Sequence, residues 1–380
     1  MPPAGELFIT FTVNTRSDAA DAAPGDGVCE ATAGSGNCTL RAAIQEANAL
    51  RGAKTISLPA GVYSLTAPGD GEEAALTGDL DIWTNLKIVG AGAAATIIDA
   101  CLLGDRVFQI EPLTATVEIT GVTIENGSLA SGDGGGLYTA GTLVLSHSRL
   151  ISNTAATGQG GGLFTAAGGA ATLSHVTISG NQADSGGGLA ALGTAVHLAS
   201  LSLEAVAVIA NTANHTGLAL MADYATGALT NVTISQHLGG PWPAVVNGPF
   251  STLVFTNVTM ADNAAGLNNL LGVIRLKNTL LAKNANGACL GPMTSLGHNA
   301  DDDGTCLLAA AGDLSHASLL LDPLGDYGGA TFTHRLPAGS LARDAGDMVG
   351  CPAYDQRDVT RPPAGACDIG AVEYAPGLDP

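Results

Sequence analysis

Glycine triplets at a fixed spacing constrain this chain more than any other feature of its sequence. They occupy residues 134–136, 160–162 and 186–188, so that the spacing is 26 residues. Each triplet is followed by a leucine, at Leu137, Leu163 and Leu189. Self-similarity at a period of about 20 to 50 residues is typical of solenoid proteins. The triplets therefore indicate one supersecondary unit that is stacked many times.

Each repeat predicts short strands and no helix. Runs of β-branched residues and leucine are separated by glycine and asparagine, as in SRLISN from Ser148 and HVTISGN from His175. Three short strands in about 25 residues match one coil of a parallel β-helix, whose coils stack about 4.8 Å apart. The sequence predicts an all-β fold with roughly nine such coils over residues 54–285.

Glycine and asparagine are expected at the corners of the coils. Glycine adopts positive φ without a steric cost, and a stack leaves no room for side chains where the backbone bends in this way. Asparagine tolerates the left-handed conformation, and stacked amides can hydrogen-bond along the rod. The predicted turn ladder consists of Asn126, Asn153, Asn181, Asn211, Asn263 and Asn284. A second row of turn residues consists of His147, His175, Glu204, Asn231, Asn257 and Asn278, whose two histidines are alternatively a metal site.

Six of the seven cysteines form three pairs that are close in sequence. They lack the CxxC spacing and nearby histidines of a zinc site, so disulfides are the better interpretation. The predicted bonds are Cys29–Cys38, Cys289–Cys306 and Cys351–Cys367, and Cys101 is left unpaired. Disulfides persist in oxidising compartments. We therefore expect a secreted protein, extracellular or on a cell surface.

The two ends of the chain depart from the repeat. Residues 1–53 are expected to hold a strand, a disulfide loop and a short capping helix, because CTLRAAIQEANALRG from Cys38 has apolar residues at helical spacing, a possible N-cap at Thr39 and a stop at Gly52. Such a helix would cover an open end of the rod. Residues 286–380 are expected to form a loop-rich closing region tied by disulfides.

The end segments also resemble known bacterial domains. FTVNTRSDAADAAPGDGVCEATAGSGNCTLRAAIQEANAL, which starts at Phe11, resembles the N-terminal segment of CSLREA-domain proteins. SLGHNADDDGTC, DPLGDYGGATFTHRLPAGSLARDAGD and CPAYDQRDVTRPPAGACDIGAVEY resemble the choice-of-anchor Q domain. The repeats between them resemble those of polymorphic outer-membrane-type proteins. The resemblance implies a secreted or surface right-handed parallel β-helix and implies no activity.

Composition excludes some partners. The formal net charge is −20, with 14 basic and 34 acidic residues. Nothing in this balance neutralises phosphates, so nucleic acid and anionic membranes are not expected partners. The sequence contains no run of about 20 apolar residues, so it predicts no membrane-spanning helix. A polysaccharide is a possible partner, although an acidic one would be repelled unless calcium bridged it.

The repeat region offers no clear catalytic group. A lyase needs a basic residue beside clustered carboxylates, and a hydrolase needs two carboxylates at a fixed separation. Between residues 121 and 284 the acids are scattered through different coils. The sequence thus predicts a chain that is not an enzyme and has no cofactor, with calcium as the one alternative.

That calcium candidate is NADDDG, with Asn299, Asp301 and Asp303 at alternate positions. Ala310 stands where the closing glutamate should be, so a solvated loop tied by Cys306 is the alternative.

Three functional hypotheses follow. The first is a non-catalytic extracellular structural protein that self-associates, with filaments as one form of the assembly. The second is an adhesin or carbohydrate-binding surface protein, which aromatic stripes would favour, but Trp83 and Trp242 are far apart in sequence. The third is a polysaccharide lyase or glycoside hydrolase. Self-association is predicted through the strand-like N-terminal segment, whose apolar side chains are Leu7, Ile9, Phe11 and Val13.

Overall fold

Nearly all of the regular secondary structure consists of parallel strands that stack in register. The computed structural model describes residues 8–69, 71–362 and 365–377. Within these residues the strands form three parallel sheets, each built from one strand of successive coils. The predicted all-β parallel β-helix is thereby confirmed.

Sheet 1 has nine strands, one from each of nine coils. Its strands are Leu80–Ile82, Phe108–Ile110, Leu137–Thr139, Leu163–Thr165, Leu189–Leu192, Leu220–Asp223, Val245–Asn247, Leu267–Asn269 and Cys289–Leu290. Leu137 pairs with Leu163, which pairs with Leu189, and all three are buried. The leucine after each glycine triplet therefore forms the stacked interior row that the repeat predicts.

Sheet 2 has two faces joined by a bend. The strands of its first face are Phe8–Thr12, Ala53–Leu58, Leu86–Gly90, Thr116–Thr120, Thr142–Ser146, Ala170–Ser174, Ala199–Glu204, Ala225–Ser235, Thr252–Ala261, Val273–Lys277 and Thr294–Ser295. Its second face contains Gly61–Ser64, Thr96–Asp99, Thr123–Glu125, Arg149–Ile151, Thr177–Ser179, Ala207–Ile209, Leu280–Ala282 and Ala300–Asp301, together with the ends of the two longest strands. Sheet 3 has the strands Ser128–Leu129, Thr154–Gln159, Gln182–Ser185 and Thr212–Thr216.

The bend of sheet 2 is the predicted second row of turn residues. The residues with positive φ at this bend are His147, His175, Ala205, Asn231, Asn257 and Asn278. In one coil the bend falls on Ala205, so the prediction of Glu204 is wrong by one residue. The apolar alternation continues through Leu203, which faces the core, and places Glu204 on the outer surface as the last strand residue.

The glycine triplets turn the chain into sheet 1. The first glycine of each has positive φ, +74° at Gly134, +67° at Gly160 and +64° at Gly186. The third lies too close to the next coil for a side chain, since a Cβ on Gly136 would sit 2.6 Å from the carbonyl oxygen of Gly162. Both reasons for glycine, conformation and space, thus apply in the same triplet.

The asparagine ladder forms inside the rod. The Nδ2 of Asn153 donates to Oδ1 of Asn181 at 3.0 Å, and Nδ2 of Asn181 donates to Oδ1 of Asn211 at 2.9 Å. Further along, Asn263 donates to Asn284 at 2.9 Å. These side chains are buried, and each also donates to a backbone carbonyl of the preceding coil.

Asn126 and His237 mark where the ladder differs from the prediction. Asn126 lies one residue before the ladder position, which is occupied by Gly127, and its Nδ2 donates to Asp99 instead. His237 fills the gap between Asn211 and Asn263. Its Nδ1 accepts the backbone N–H of Asn211 at 3.1 Å, and Nε2 lies 3.0 Å from the carbonyl oxygen of Val208. Burial lowers the pKa of His237 to about 4, so the ring is neutral.

The one α-helix of the described residues, Leu40–Ala49, covers the first coil. Thr39 caps it as predicted, its hydroxyl accepting the N–H of Ala42. Arg41 is fully buried, pairs with Asp18 at 2.7 Å, and donates to carbonyl groups of the segment that precedes the first strand of sheet 1. The helix therefore positions that segment as well as closing the rod.

The N-terminal strand Phe8–Thr12 belongs to the chain's own rod. It pairs in parallel with Ala53–Leu58. Phe11 and Val13 are buried in the core, and Ile9 packs against it. The prediction that these side chains form an assembly surface is wrong because they fill the first coil, and Leu7 lies outside the described residues.

The C-terminal region runs back along the side of the rod. Thr331, Gln356 and Gly370 contact the second face of sheet 2 through Ala205, Thr233 and Asn278. Asp358 reaches His175 at 3.0 Å. The two predicted domain boundaries, at residues 53 and 285, stay predictions.

The three disulfides form as predicted. Their pairs are Cys29–Cys38, Cys289–Cys306 and Cys351–Cys367. Cys101 is free and exposed. Within the described ranges, no helix has the length and apolarity needed to cross a membrane.

Candidate active site

The candidate site begins on the outer face of sheet 1. Along each strand the interior residues alternate with outward ones, and the register stacks the outward residues of successive coils. The first outward row is Asp81, Gln109, Tyr138, Phe164, Ala190 and Met221. Polar residues thus occupy the first two coils of this face and aromatic residues the next two.

A loop covers the outward face of the first coil. Asp81 points outward yet is only 1% exposed, and its Oδ2 accepts the N–H of Ala75 at 3.0 Å. Gln45 of the helix donates to the carbonyl oxygen of Ala75 at 3.1 Å, and Glu72 caps the loop by accepting the N–H of Leu76 and Thr77. We call residues 72–77 the wall loop. The open face of sheet 1 begins at the second coil because of it.

Polar side chains link the wall loop to the second and third coils. Nε2 of Gln109 donates to Oε2 of Glu73 at 3.0 Å, and Nη1 of Arg106 donates to Oε1 of Gln109. The Arg106 guanidinium lies 3.6 Å from Asp79 and 5.3 Å from the centre of the Tyr138 ring. Gln109 is thereby oriented from one side by Arg106 and in turn fixes Glu73.

Buried carboxyl groups surround Arg106. Burial, reinforced by the charges of Asp81 and Asp105, raises the pKa of Asp79 to about 8. Burial also raises the pKa of Asp81 to about 7, although the N–H of Ala75 lowers it in part. Oδ1 of Asp81 has no hydrogen-bond partner among the described residues. Perturbed carboxyl groups beside a cleft are typical of functional sites.

Glu111 and Glu73 are the carboxyl groups that solvent reaches. Glu111 follows the second strand of sheet 1 and is half-buried, while Glu73 is exposed on the wall loop. Burial raises the pKa of Glu111, and the charge of Glu73 raises it further, whereas Arg106 lowers it. Two neighbouring carboxyl groups with different environments are the arrangement that separates an acid from a base.

A cavity of about 380 Å³ adjoins Glu73. It is lined by Pro24, Gln45, Asn48, Ala49, Glu73, Ala74, Leu76 and Trp83. Trp83 is 38% exposed, its indole N–H donates to the carbonyl oxygen of Glu73, and its backbone N–H donates to Asn48. An exposed indole beside a carboxylate can stack on a sugar ring while the carboxylate binds hydroxyl groups.

Two aromatic residues that are far apart in sequence meet on the open face. Tyr138 and Phe164 stack with ring centres 5.5 Å apart, next to Arg106. Trp83 lies at the covered end of the same sheet, directly after its first strand.

The residues predicted as sites lie elsewhere. The ladder asparagines are inside the rod, and His147 and His175 stack on each other at 4.8 Å beside Asp358. Asp301 and Asp303 accept backbone N–H groups through all four carboxylate oxygens, and Asn299 accepts the N–H of Thr279. These bonds explain the acidic loop without an ion.

A metal site would need several ligating side chains close together. In the part of the chain that the structure describes, no group of three or more His, Cys, Asp or Glu side chains could hold a metal ion. Calcium binding at the acidic loop stays a prediction.

Sequence reasoning missed the site because it lies before the regular repeats. EEAALTGDLDIW from Glu72 and GDRVFQIE from Gly104 precede residue 121, and the regular repeats that follow hold only scattered acids. The available signal was the density of acids, since residues 72–111 contain seven: Glu72, Glu73, Asp79, Asp81, Asp99, Asp105 and Glu111. What the sequence could not give is that loop and strand place them around one arginine.

Comparisons with known proteins found no matching family model and no similar curated protein. Among solved structures, the chain is similar to pectate lyase Pel9A, with 15% identity, a TM-score of 0.53, and coverage of 97% of this chain and 96% of that one. It is also similar to the A-module of Azotobacter vinelandii mannuronan C-5 epimerase AlgE6, with 15% identity, a TM-score of 0.25, and coverage of 67% and 93%. The likeness to the pectate lyase shows a shared parallel β-helix fold over nearly the whole chain.

This finding contradicts the expectation that the chain is not an enzyme. That expectation took a β-helix without clustered acids to be a scaffold. The full-length match is to an enzyme that carries its chemistry on the same fold, and the acids are clustered, around Arg106.

Proposed function

We propose that this chain hydrolyses glycosidic bonds of a polysaccharide on the outer face of sheet 1. The observation that carries the proposal is the carboxyl pair of Glu73 and Glu111. These groups are in solvent contact, they influence each other electrostatically, and they lie between an exposed tryptophan and a stacked aromatic pair.

The two carboxyl groups have separate tasks. Glu111, whose pKa is raised, keeps its proton to higher pH than an ordinary glutamate and donates it to the glycosidic oxygen as the bond to the anomeric carbon breaks. Glu73 is held by Gln109 and acts as the carboxylate, as base toward water or as nucleophile. Water supplies the hydroxyl group and the proton that complete the products.

The charge of the face favours a neutral polysaccharide. Five carboxyl groups, those of Glu73, Asp79, Asp81, Asp105 and Glu111, surround the one guanidinium of Arg106. A uronate would need a cationic partner, and Arg106 is already surrounded by carboxyl groups, whereas sugar hydroxyl groups can exchange hydrogen bonds with carboxyl groups in either protonation state. The stacked Tyr138 and Phe164 would bind the apolar faces of further sugar rings.

The test is cleavage of a panel of neutral polysaccharides, such as β-glucan, xylan, mannan and arabinan, measured as new reducing ends. Glu111→Gln and Glu73→Gln should each lower the rate at least about 100-fold. Glu118→Gln is the matched control, since Glu118 is exposed on sheet 2 and pairs with Lys87. Polygalacturonate and alginate complete the panel. Products that contain a carbon–carbon double bond would show β-elimination and contradict hydrolysis, as would equal rates for wild type and both variants.

We further propose that the protein works outside the cell or on its surface. Three disulfides support an oxidising compartment, and a polysaccharide substrate would be met there. The resemblance to CSLREA and choice-of-anchor Q domains is in keeping with this location. Self-association remains a separate proposal, carried by the backbone edge of Phe8–Thr12 because Phe11 is buried in the rod and Ile9 packs against its core.

A further inference from the structure

A second outward row runs along sheet 1, two residues after the first row in each coil. It begins at Glu111, and the register of the strands continues it through Ala140, Ala166, Leu192 and Asp223 in the next four coils. At a strand spacing of about 4.8 Å, Glu111 and Asp223 are about 19 Å apart along the rod. The row therefore leads from the proposed catalytic acid to a second carboxyl group.

The three coils between these carboxyl groups present only apolar side chains in the two outward rows. The six residues are Tyr138, Phe164 and Ala190 of the first row and Ala140, Ala166 and Leu192 of the second. They pack together as one cluster, which we call the apolar track. Sugar rings have apolar faces that can pack on such a surface, so a polymer bound at Glu111 can continue along it.

An exposed aromatic pair lies at the far end of the apolar track. Tyr224 directly follows Asp223, and its ring stacks on that of Phe250 in the next coil, with ring centres 4.9 Å apart. Phe250 is 71% exposed. Both residues have positive φ, +46° at Tyr224 and +54° at Phe250, where glycine or asparagine would cost less. Aromatic residues held in this conformation on the surface point to a functional role.

The carboxyl group of Asp223 lies beside the aromatic pair. Its Oδ1 would be 3.3 Å from a Cβ on Gly248, two residues before Phe250, so the missing side chain of Gly248 leaves room for the carboxyl group. Oδ1 has no hydrogen-bond partner among the described residues. Burial raises the pKa of Asp223, and the N–H of Tyr224 lowers it in part. Asp223 is only half-buried, so its carboxyl group can exchange hydrogen bonds with a sugar hydroxyl group.

The segments around the aromatic pair favour a neutral ligand. Residues 193–198, 248–251 and 270–272 follow neighbouring strands of sheet 1, and they contain no Asp, Glu, Lys or Arg. An anionic ligand would find no cationic side chain in these segments. A ligand with hydroxyl groups and apolar ring faces matches a carboxyl group beside two aromatic rings.

From this geometry, and resting on the proposed function for the class of ligand, we infer that Asp223, Tyr224 and Phe250 form a second saccharide-binding site. The polymer that is cut beside Glu111 extends along the apolar track, and its rings pack against the aromatic pair. Hydroxyl groups of these rings bind Asp223. The site binds the polymer without reacting, so it lowers KM for long substrates and leaves kcat unchanged.

Affinity electrophoresis tests binding separately from cleavage. Glu111→Gln, which should not cleave, is run in native gels that contain β-glucan, xylan, mannan or arabinan. Adding Phe250→Gly should raise the Kd for the retarding polysaccharide about threefold to tenfold. Glycine adopts positive φ freely, so this variant should keep the fold. Phe332→Ala is the matched control, since Phe332 is 51% exposed in the C-terminal region, and it should leave the Kd unchanged.

Cleavage by the otherwise wild-type enzyme gives a second measurement. Phe250→Gly should raise KM for the same polysaccharide by the same factor, with kcat unchanged. Equal mobility of Glu111→Gln with and without Phe250→Gly in all four gels would overturn the inference, whether or not the wild type cleaves.

Two further outcomes separate the inference from its alternatives. Retardation that depends on Phe250, without cleavage by the wild type, would overturn hydrolysis and leave the binding site. If Phe250→Gly converted a dimer into a monomer in light scattering and left the retardation unchanged, the surface would belong to a second copy of the chain and the inference would be wrong.

Discussion

The asparagine ladder and the acidic cluster around Arg106 both consist largely of buried polar side chains. They differ in how completely their polar atoms are hydrogen-bonded. In the ladder, Asn181 receives and donates hydrogen bonds within its own row and reaches a carbonyl group as well. In the cluster, Oδ1 of Asp81 has no partner in the described part of the chain, and Asp79 has its pKa raised to about 8. The ladder is neutral and fully hydrogen-bonded, whereas the cluster contains an unpaired oxygen and carboxyl groups whose charged forms are disfavoured by burial and by one another.

This difference separates structural polar residues from functional ones in a solenoid. A polar residue that recurs in every coil finds its partner in the same residue one coil away. A polar residue that occurs in one coil only must be satisfied by other means or remain costly. Polar groups that reduce stability are concentrated at functional sites. This favours the cluster, and not the ladder, as the site.

Breaking the ladder should have the largest effect on stability. Asn181→Ala removes the partner of Asn153, Asn211 and the carbonyl group of Leu150, all in the interior. Because buried groups without partners cost about 1–3 kcal/mol each, we expect the free energy of unfolding to fall by at least about 3 kcal/mol. Denaturant unfolding measures it. Asn268→Ala, on the outer row of sheet 1, is the control and should change stability by under about 1 kcal/mol.

The two rows should also respond to pH in opposite directions. Asp79 has a pKa of about 8 in the folded state, above its ordinary value near 3.8, so its contribution to stability is lost as pH rises through about 4 to 8. His237 has a pKa of about 4, below its ordinary 6.5, so its contribution is lost as pH falls from about 6.5 to 4.

Two variants isolate these contributions. Asp79→Asn should raise stability at pH 9 by about 1–3 kcal/mol relative to wild type and leave it unchanged at pH 4. His237→Asn, which continues the ladder, should reduce the loss of stability between pH 6.5 and 4. Thermal unfolding across pH 4 to 9 measures both effects. Parallel pH curves for wild type and either variant would contradict the assignment.

Arg106 should affect the pKa of Glu111 more than the stability of the fold. Arg106→Gln removes the positive charge that lowers the pKa of Glu111. The pKa of Glu111 should then rise, so the alkaline limb of the pH–rate profile should move to higher pH by about 0.5 to 1 unit. A variant that lost activity with an unmoved profile would show a structural role only. Lys87→Gln is the control, since Lys87 pairs with Glu118 on another sheet.

The smallest expected effect concerns self-association. Phe8–Thr12 is the terminal strand of sheet 2 in the described residues, with Ala53–Leu58 as its partner on one side. Thr12→Lys places a charge on this edge and should weaken association about threefold to fivefold, or under about 1 kcal/mol, in light-scattering titrations. Thr55→Lys on the neighbouring strand is the control. A wild-type protein that stays monomeric at every concentration would remove the proposal.

Prediction from the sequence succeeded for residues that recur at the period of the coils. The glycine triplets, the leucine row and the disulfides follow from spacing, because a residue that recurs at the coil period must stack on its own copy. The ladder followed too, except at Asn126 and His237. There the asparagine lies one position early or is replaced by a ring that makes the same pair of hydrogen bonds.

Prediction failed where the chain leaves the repeat. The side chains of Phe11 and Val13 alternate like those of an edge strand, and only packing shows that they fill the chain's own first coil. Within the region predicted to close the rod, Cys306 and Leu308 pack on the core, and only contacts such as that of Asp358 with His175 show that a later part lies along the side.

The sequence by itself determined a stacked all-β rod, its corners and its disulfides, because these depend on a period that can be counted along the chain. The tertiary structure alone decided the site. Glu73, Arg106 and Glu111 come from a loop and from the second coil, and they meet because Arg41 and Gln45 of the capping helix hold the wall loop over Asp81. That placement depends on contacts between segments that share no period, so no spacing in the sequence records it.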